Sequence, residues 1–332
     1  MNRSMAAVAS DVLTLVRKRA QTRTIHADVK RPFRFFLCGD PALIAEFRAT
    51  LLAGHRGDHT PLEAAATLET MDPSRPVLMG SDAKLIVFLG RPGDRAGARL
   101  DSLAALRLPI FAVTVDGDAT PSMPANAPLA AAIGDYVVPR VDRDALRTRL
   151  FPHMVERCKG VEIAVGRNLP ALRETVAAKL TRDAASSALK VAAASAVVDH
   201  IPVLGVVLGA VASAGDMVAI TGIQIVLMMQ IGAAYGKDPE VHDIWEMLPV
   251  VGGGFGWRML ARELSGFIPM AGIAIKGAIA YAGTTVVGEG VTFYYEHGRH
   301  MTKAQATQLY EETKRSALAF AREMYLRLRN KR

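Results

Sequence analysis

The run Phe33-Arg34-Phe35-Phe36-Leu37-Cys38 leads directly into Gly39-Asp40-Pro41-Ala42-Leu43-Ile44-Ala45-Glu46. A phosphate cradle of the form G-x-x-x-x-G-K-S/T follows a strand in the same way: backbone N–H groups hold the phosphate oxygens, lysine neutralises them and the hydroxyl binds Mg²⁺. Only the first glycine, Gly39, is present here. The second glycine position is Ile44, the lysine position is Ala45 and the hydroxyl position is Glu46, while Pro41 removes one cradle N–H. Exchanging a cation for a methyl and a hydroxyl for a carboxylate turns attraction for phosphate into repulsion, on the order of several kcal/mol at short range. The segment is therefore expected to hold no nucleotide, and no cofactor or metal is expected elsewhere.

Other candidate chemistry is thin. The eight histidines form no H-E-x-x-H and no G-x-S-x-G elbow occurs, so no catalytic residue is assigned and no enzyme is expected. The glycine-rich Val251–Arg258 follows no strand and lacks dinucleotide-loop spacing, which fits a close-packed turn between helices. Asp199-His200, beside Ile201-Pro202, reads as helix capping ahead of a proton relay. Cys38 and Cys158 are too few for a disulfide framework and have no metal-ligand spacing.

Short buried-strand candidates alternate with helical text through the first half. They are Phe33–Cys38, Lys84–Leu89, Pro109–Val115 and Asp135–Val138; helical patterns cover Ala42–Ala53 and Arg95–Leu106 and resume near Arg143. That alternation predicts a parallel sheet covered by helices on both faces. From about Asn168 the text becomes Ala-rich and helical. The fold class expected is α/β plus all-α: a small doubly wound, P-loop-like domain followed by an apolar, Gly/Ala-rich helical domain. The expected divisions are a basic extension at 1–31, the α/β domain at 32–160, the helical domain at 168–300 and a basic amphipathic helix at 301–332.

Met217–Gly236 runs twenty residues without a formal charge, in a chain that is 22% charged. As a helix it is long enough to cross a hydrocarbon core. Helices apolar all round also form the core of a large soluble domain, and both readings stand at this stage. The formal charge is +8, and it is concentrated at the ends. Residues 1–31 carry seven Lys/Arg against two Asp/Glu, and residues 299–332 carry nine against three. Basic ends suit an anionic surface, although a solvated tail with no partner fits as well. No secretory signal is expected, because Asp11 interrupts the apolar stretch and Arg17-Lys18-Arg19 follows it.

The helical half resembles a known family through Ile201-Pro202-Val203-Leu204-Gly205, Gln224…Met228…Ile231…Tyr235-Gly236 and Arg258…Ala261-Arg262-Glu263-Leu264. The match continues in Ile268-Pro269-Met270-Ala271-Gly272, Gly283-Thr284-Thr285…Gly288 and Tyr294-Tyr295-Glu296-His297-Gly298. These residues, over roughly 184–300, resemble the YcjF-type helical domain of unknown function, which in bacterial proteins is fused to an Era-like small GTPase domain. Met270 departs from the glycine usual there. The α/β half looks like that GTPase with its chemistry removed: no D-x-x-G lies between residues 60 and 82, only Asp116 remains of N-K-x-D, and Pro139-Arg140 replaces the base-supporting Ser-Ala. An unrelated doubly wound domain is the alternative.

The resemblance and the residues together imply a non-catalytic, GTPase-like adaptor at the cytoplasmic face of the inner membrane, peripheral or integral. Expected lipid contacts are Ile201, Leu204, Val207, Ile223 and Leu227 from the apolar text, with Arg322, Arg327 and Arg329 from the tail. The expected partners are an anionic membrane surface or bilayer, an unidentified protein and a second copy of the chain, with no specific nucleic acid. The rival expectations are a soluble interaction protein whose apolar helices form a buried or oligomeric core, and a nucleotide hydrolase with an altered cradle.

Overall fold

The computed structural model describes residues 20–54, 61–72, 79–94, 100–198, 205–238 and 272–329. The first nineteen residues of the expected basic extension, Asp199-His200, the loop Val251–Arg258 and the motif residues from Ala261 to Ala271 lie outside them. After α1 (Ala20–Val29) come β1 (Arg34–Gly39), α2 (Pro41–Leu52), α3 (Pro61–Ala66), β2 (Leu68–Thr70) and β3 (Ala83–Gly90). A 3₁₀ segment (Leu100–Leu106) leads to β4 (Ile110–Val115) and β5 (Ile133–Val138), then α4 (Arg143–Arg147), α5 (Phe151–Glu156) and α6 (Glu162–Asn168). The remaining helices are α7 (Arg173–Val198), α8 (Gly205–Ala234), α9 (Gly272–His297) and α10 (Lys303–Arg329). The chain is thus an α/β domain followed by an all-helical region.

All four pairings in the sheet are parallel, in the order β2-β1-β3-β4-β5. Phe36 aligns with Ile86, Ile86 with Ile110, and Ile110 with Ile133, which places one ladder of apolar side chains across four strands. Alternate residues point to opposite faces, and both alternations are buried. One face gathers Phe36, Cys38, Ile86, Phe88, Ile110 and Ala112 with Leu100 and Leu103 of the 3₁₀ segment. The other carries Phe35, Leu37, Leu85, Val87, Phe111 and Val113, and α2 packs on β1 and β3 with Phe47 and Leu51 buried. Coverage on both faces is why these strands are continuous apolar runs. The helix expected over Arg95–Leu106 is, in its described part, a 3₁₀ segment. Its leucines at 100, 103 and 106 recur every third residue, the period of that tighter coil.

Arg34 ties the amino edge of the sheet. Its guanidinium bonds Asp82 at 2.7 and 3.0 Å and Glu69 at 2.7 Å, joining β1 to β2 and to the residue before β3. The Arg34 hydrogen bond holds the Asp82 carboxyl below the usual carboxylate range.

The chain forms two compact units. The first comprises His26–Lys179 and also Ala233–Lys237; the second comprises the helical remainder, with α7 from Leu180, α8 up to Gly232, α9 and α10. In the first unit, two buried arginines hold helix ends. Arg167 donates to the carbonyls of Ala233 (3.4 Å) and Lys237 (2.8 Å), at the end of α8. Arg173 donates to Gly166 (3.1 Å) and Arg167 (3.5 Å), at the end of α6, and lies 5.6 Å over the Tyr235 ring. A cation at a helix C-terminus meets the negative end of the helix dipole, which offsets the cost of burying it.

In the second unit the helices meet through small residues. Ala188 and Ala192 of α7 and Ala280 of α9 form a buried patch on which Ile220 and Ile223 of α8 pack. Gln224 donates to Thr284 at 3.2 Å inside this unit, and both are buried. Residues 224–236, the end of α8 and the turn after it, are buried except Val226 and Gln230, which are half-buried. Among the described residues no helix is long and apolar enough to cross a membrane. The turn between α9 and α10 has Gly298 in the left-handed region (φ +65°) donating to Tyr294 at 2.8 Å. Thr302 and Gln305 then form a reciprocal capping box, with bonds of 2.9 and 3.3 Å.

Gly288 admits no side chain: a Cβ there would lie 2.1 Å from Thr181 Oγ1 and 2.8 Å from its Cβ. Gly288→Ala should destabilise the chain by about 1–3 kcal/mol through overpacking, read as a lower urea midpoint. Thr181→Ala in the same chain should recover part of that loss, and simple additivity of the two substitutions would contradict the contact.

Candidate functional site

A doubly wound sheet of order 2-1-3-4-5 binds ligands outside the carboxyl ends of its strands, at the switch point between β1 and β3. Here that edge is formed by Gly39-Asp40, by Gly90–Asp94, by Asp116 and by Pro139-Arg140. Gly39 has φ +112°, and a Cβ on it would fall 2.0 Å from the carbonyl oxygen of Leu89, so β1 and β3 converge where only glycine fits. Asp40 N–H donates to that Leu89 carbonyl at 2.8 Å.

The connection from β1 to α2 is a single residue. Asp40 is extended, Pro41 is already the first helical residue, and 41–46 lie within α2. No loop of successive N–H groups exists between them. The N–H groups at the start of α2 are all accounted for. Pro41 has none; Ala42 and Leu43 donate to Asp40 Oδ1 at 2.7 and 3.2 Å; Ile44 donates to the Asp40 carbonyl at 2.9 Å. The positive end of the helix therefore faces the chain's own carboxylate, in the place where a phosphate would bind. Ile44 is buried in the core, whereas Ala45 and Glu46 are exposed on the outer side of α2. Of the four sequence-predicted positions, only Gly39 lies at the crevice.

The other groups at this edge serve turns. Arg91 Nε lies 3.7 Å from Asp40 Oδ2, and Arg91 N–H donates to Asp94 Oδ2 at 2.6 Å. Asp116 Oδ1 accepts from the N–H groups of Asp118 (3.0 Å) and Ala119 (3.3 Å), an Asx turn. Arg140 pairs with Asp142, which caps α4 through Ala145 N–H at 2.8 Å; that backbone bond, with Arg140 beside it, keeps the Asp142 carboxyl below its ordinary range. Sequence reasoning passed over Arg91 and Asp94, although Arg-Pro-Gly-Asp directly after a strand marks a turn at the carboxyl edge. Among the described residues no group of three or more His, Cys, Asp or Glu side chains could hold a metal ion. Cys38 and Cys158 are free and buried, and burial pushes the Cys38 thiol up to about 12 and raises the Cys158 thiol as well.

The remaining sequence-predicted contacts fall elsewhere. Leu227 is fully buried, and Ile223 is half-buried against the alanine patch. Val207 lies in α8, and Arg322, Arg327 and Arg329 lie in α10, while Ile201 and Leu204 are outside the described residues. No family model, curated protein or solved structure matches the chain.

Asp40→Ala should cost about 1 kcal/mol of stability through loss of the α2 cap, with Asp40→Asn retaining most of it, both read by urea unfolding. A second test concerns His153, whose Nδ1 lies 2.8 Å from the hydroxyl of buried Tyr136. Burial, with the Arg157 charge nearby, lowers its pKa from the ordinary value. The folded state thus resists protonating a group that the unfolded chain protonates near pH 6.5. Stability from this site is complete above about pH 6.5 and declines as pH falls from there toward the lower folded value. Replacing His153 with Gln should flatten that part of the pH–stability curve.

Proposed function

We propose that the chain is a non-hydrolysing adaptor, a GTPase-like α/β module that has lost its nucleotide and works through protein docking, held peripherally at the cytoplasmic face of a membrane. The observation that carries the first half is the occupation of the α2 amino end by the Asp40 carboxylate, with a one-residue connection and no donor left for a phosphate. The motif text supports kinship with Era-like GTPases fused to YcjF-type domains, and the parallel sheet followed by helices is compatible with it. The second half rests on the basic ends of the sequence, each Lys or Arg near an anionic surface contributing about 1 kcal/mol. Lipid contact is assigned to these ends and not to Leu227, which the chain itself covers.

A second reading is a self-contained interaction scaffold that touches no membrane. The burial of most of the stretch from Gln224 to Gly236 within the chain favours it.

Thermal unfolding with millimolar Mg·GTP or Mg·ATP should show no rise in Tm, for the native chain and for Ala45→Lys/Glu46→Ser alike. Ligand at 100 times its Kd would stabilise by about 2.7 kcal/mol, so a nucleotide-dependent rise would overturn the non-hydrolysing reading. Deletion of residues 322–332 should weaken co-sedimentation with anionic vesicles and flatten its salt dependence. Failure of the full chain to sediment with such vesicles would favour the scaffold.

A further inference from the structure

Two buried oxygens inside the helical unit have no hydrogen-bond partner among the described residues: Thr181 Oγ1 of α7 and Gln224 Oε1 of α8. The two residues are 3% and 2% exposed. Elsewhere on α7 and α9 a hydroxyl turns back on its own helix. Ser186, Ser187, Thr285 and Thr292 each donate to the carbonyl four residues earlier, at 2.8 to 3.0 Å. Thr181 does not. Its Oγ1 is the atom nearest to the Cβ that Gly288 of α9 lacks, so the hydroxyl faces α9 and makes no bond to its own helix. The Gln224 amide reaches the same helix one turn earlier, where its Nε2 donates to Thr284 Oγ1 at 3.2 Å. Thr284 and Gly288 are four residues apart and share one face of α9.

We propose that Thr181 and Gln224 bind one water molecule between them, which joins α7 to α8 across this face of α9. Four residues along α9 measure about 6 Å at the helical rise, and one water making two bonds of about 2.8 Å spans a gap of that size. The chemistry of the two oxygens selects water over an ion. Thr181 offers a proton as well as lone pairs, whereas Gln224 Oε1 can only accept. Water accepts from the first and donates to the second; a cation would meet both oxygens and leave the hydroxyl proton without an acceptor. Turning the amide over would exchange which of its atoms lacks a partner, and water serves a donor as readily as an acceptor. Oxygens buried without partners carry their full desolvation cost, and buried waters are found where they remove it. α7 and α9 meet in this unit through small side chains, so no long side chain of theirs competes for the space. The site lies within the helical unit and does not depend on the membrane reading.

A crystal structure of the full-length chain tests this directly. At a resolution that shows other ordered solvent, one solvent oxygen should lie about 2.8 Å from both Thr181 Oγ1 and Gln224 Oε1. Density beside neither oxygen, or beside one alone, would overturn the bridge. Growth in rubidium chloride separates water from a cation: an anomalous peak at the site would overturn the proposal in favour of a monovalent ion. Thr181→Ser keeps the hydroxyl and should keep the solvent peak, whereas Thr181→Val should abolish it. A peak that survives Thr181→Val would mean a water held by Gln224 without Thr181, again overturning the bridge. In solution, Thr181→Val and Gln224→Met each remove one end. Once either end is gone the second substitution should cost less, so the urea midpoint of the double variant should fall by less than the sum of the two single shifts. Additive shifts would contradict a shared water.

Discussion

Two buried guanidinium groups hold helix ends together within the α/β unit. Arg167 and Arg173 lie six residues apart around a 3₁₀ turn, and each donates to main-chain carbonyls at a helix end. Their joint effect is to bind the segment Ala233–Lys237, sixty to seventy residues further along, into the α/β unit. A neutral apolar side chain at either position would leave terminal carbonyls buried without donors, a penalty of about 1–3 kcal/mol each. Tyr235 closes the arrangement by presenting its ring to Arg173. The placement of Ala233–Lys237 therefore depends on these two charges.

The two units use different packing solutions. The sheet is held by long aliphatic and aromatic side chains interlocking on both faces, with Phe35, Phe36, Phe111 and Tyr136 fully buried. The helical unit buries Leu227, Ile231 and Ile279 but also relies on small residues at its helix contacts. Its helices approach through Ala188, Ala192, Ala280 and Gly288, and bury hydrogen-bonding residues such as Gln224 and Thr284. Close approach of backbones explains why glycine and alanine dominate that text and why its hydropathy alone left two environments open.

Much of the α/β fold was legible in the sequence, because β1, β3 and β4 are continuous runs of apolar residues and such runs have few alternatives between turn signals. β2 was not: it is three residues long, on the sheet edge, and Leu68-Glu69-Thr70 carries no periodicity. The 3₁₀ segment was misread as a helix because three- and four-residue spacings overlap in so short a stretch. At the crevice the residue types were legible and the length of the connection was not. Comparing Gly39–Glu46 with a phosphate loop aligns letters and assumes a loop, yet Asp40-Pro41 is also a cap followed by a first-turn proline, a helix-start signature. The buried arginines gave no local signal, since their partners are main-chain carbonyls, far along the chain for Arg167 and across a turn for Arg173.

The single-residue step from β1 to α2 also bears on how this domain can change. Replacing side chains alters what a loop binds, but a helix that begins one residue after its strand has no loop to alter. Building a phosphate cradle would require inserted residues between Gly39 and Pro41, and those residues would have to displace a carboxylate that already satisfies the helix. Insertion there would also shift α2 against β1 and β3, disturbing Phe47 and Leu51 in the core. The constraint is written in backbone length, so single-base substitutions offer no route to such a cradle, and Ala45 and Glu46, exposed on the outer side of α2, are free to vary without creating one.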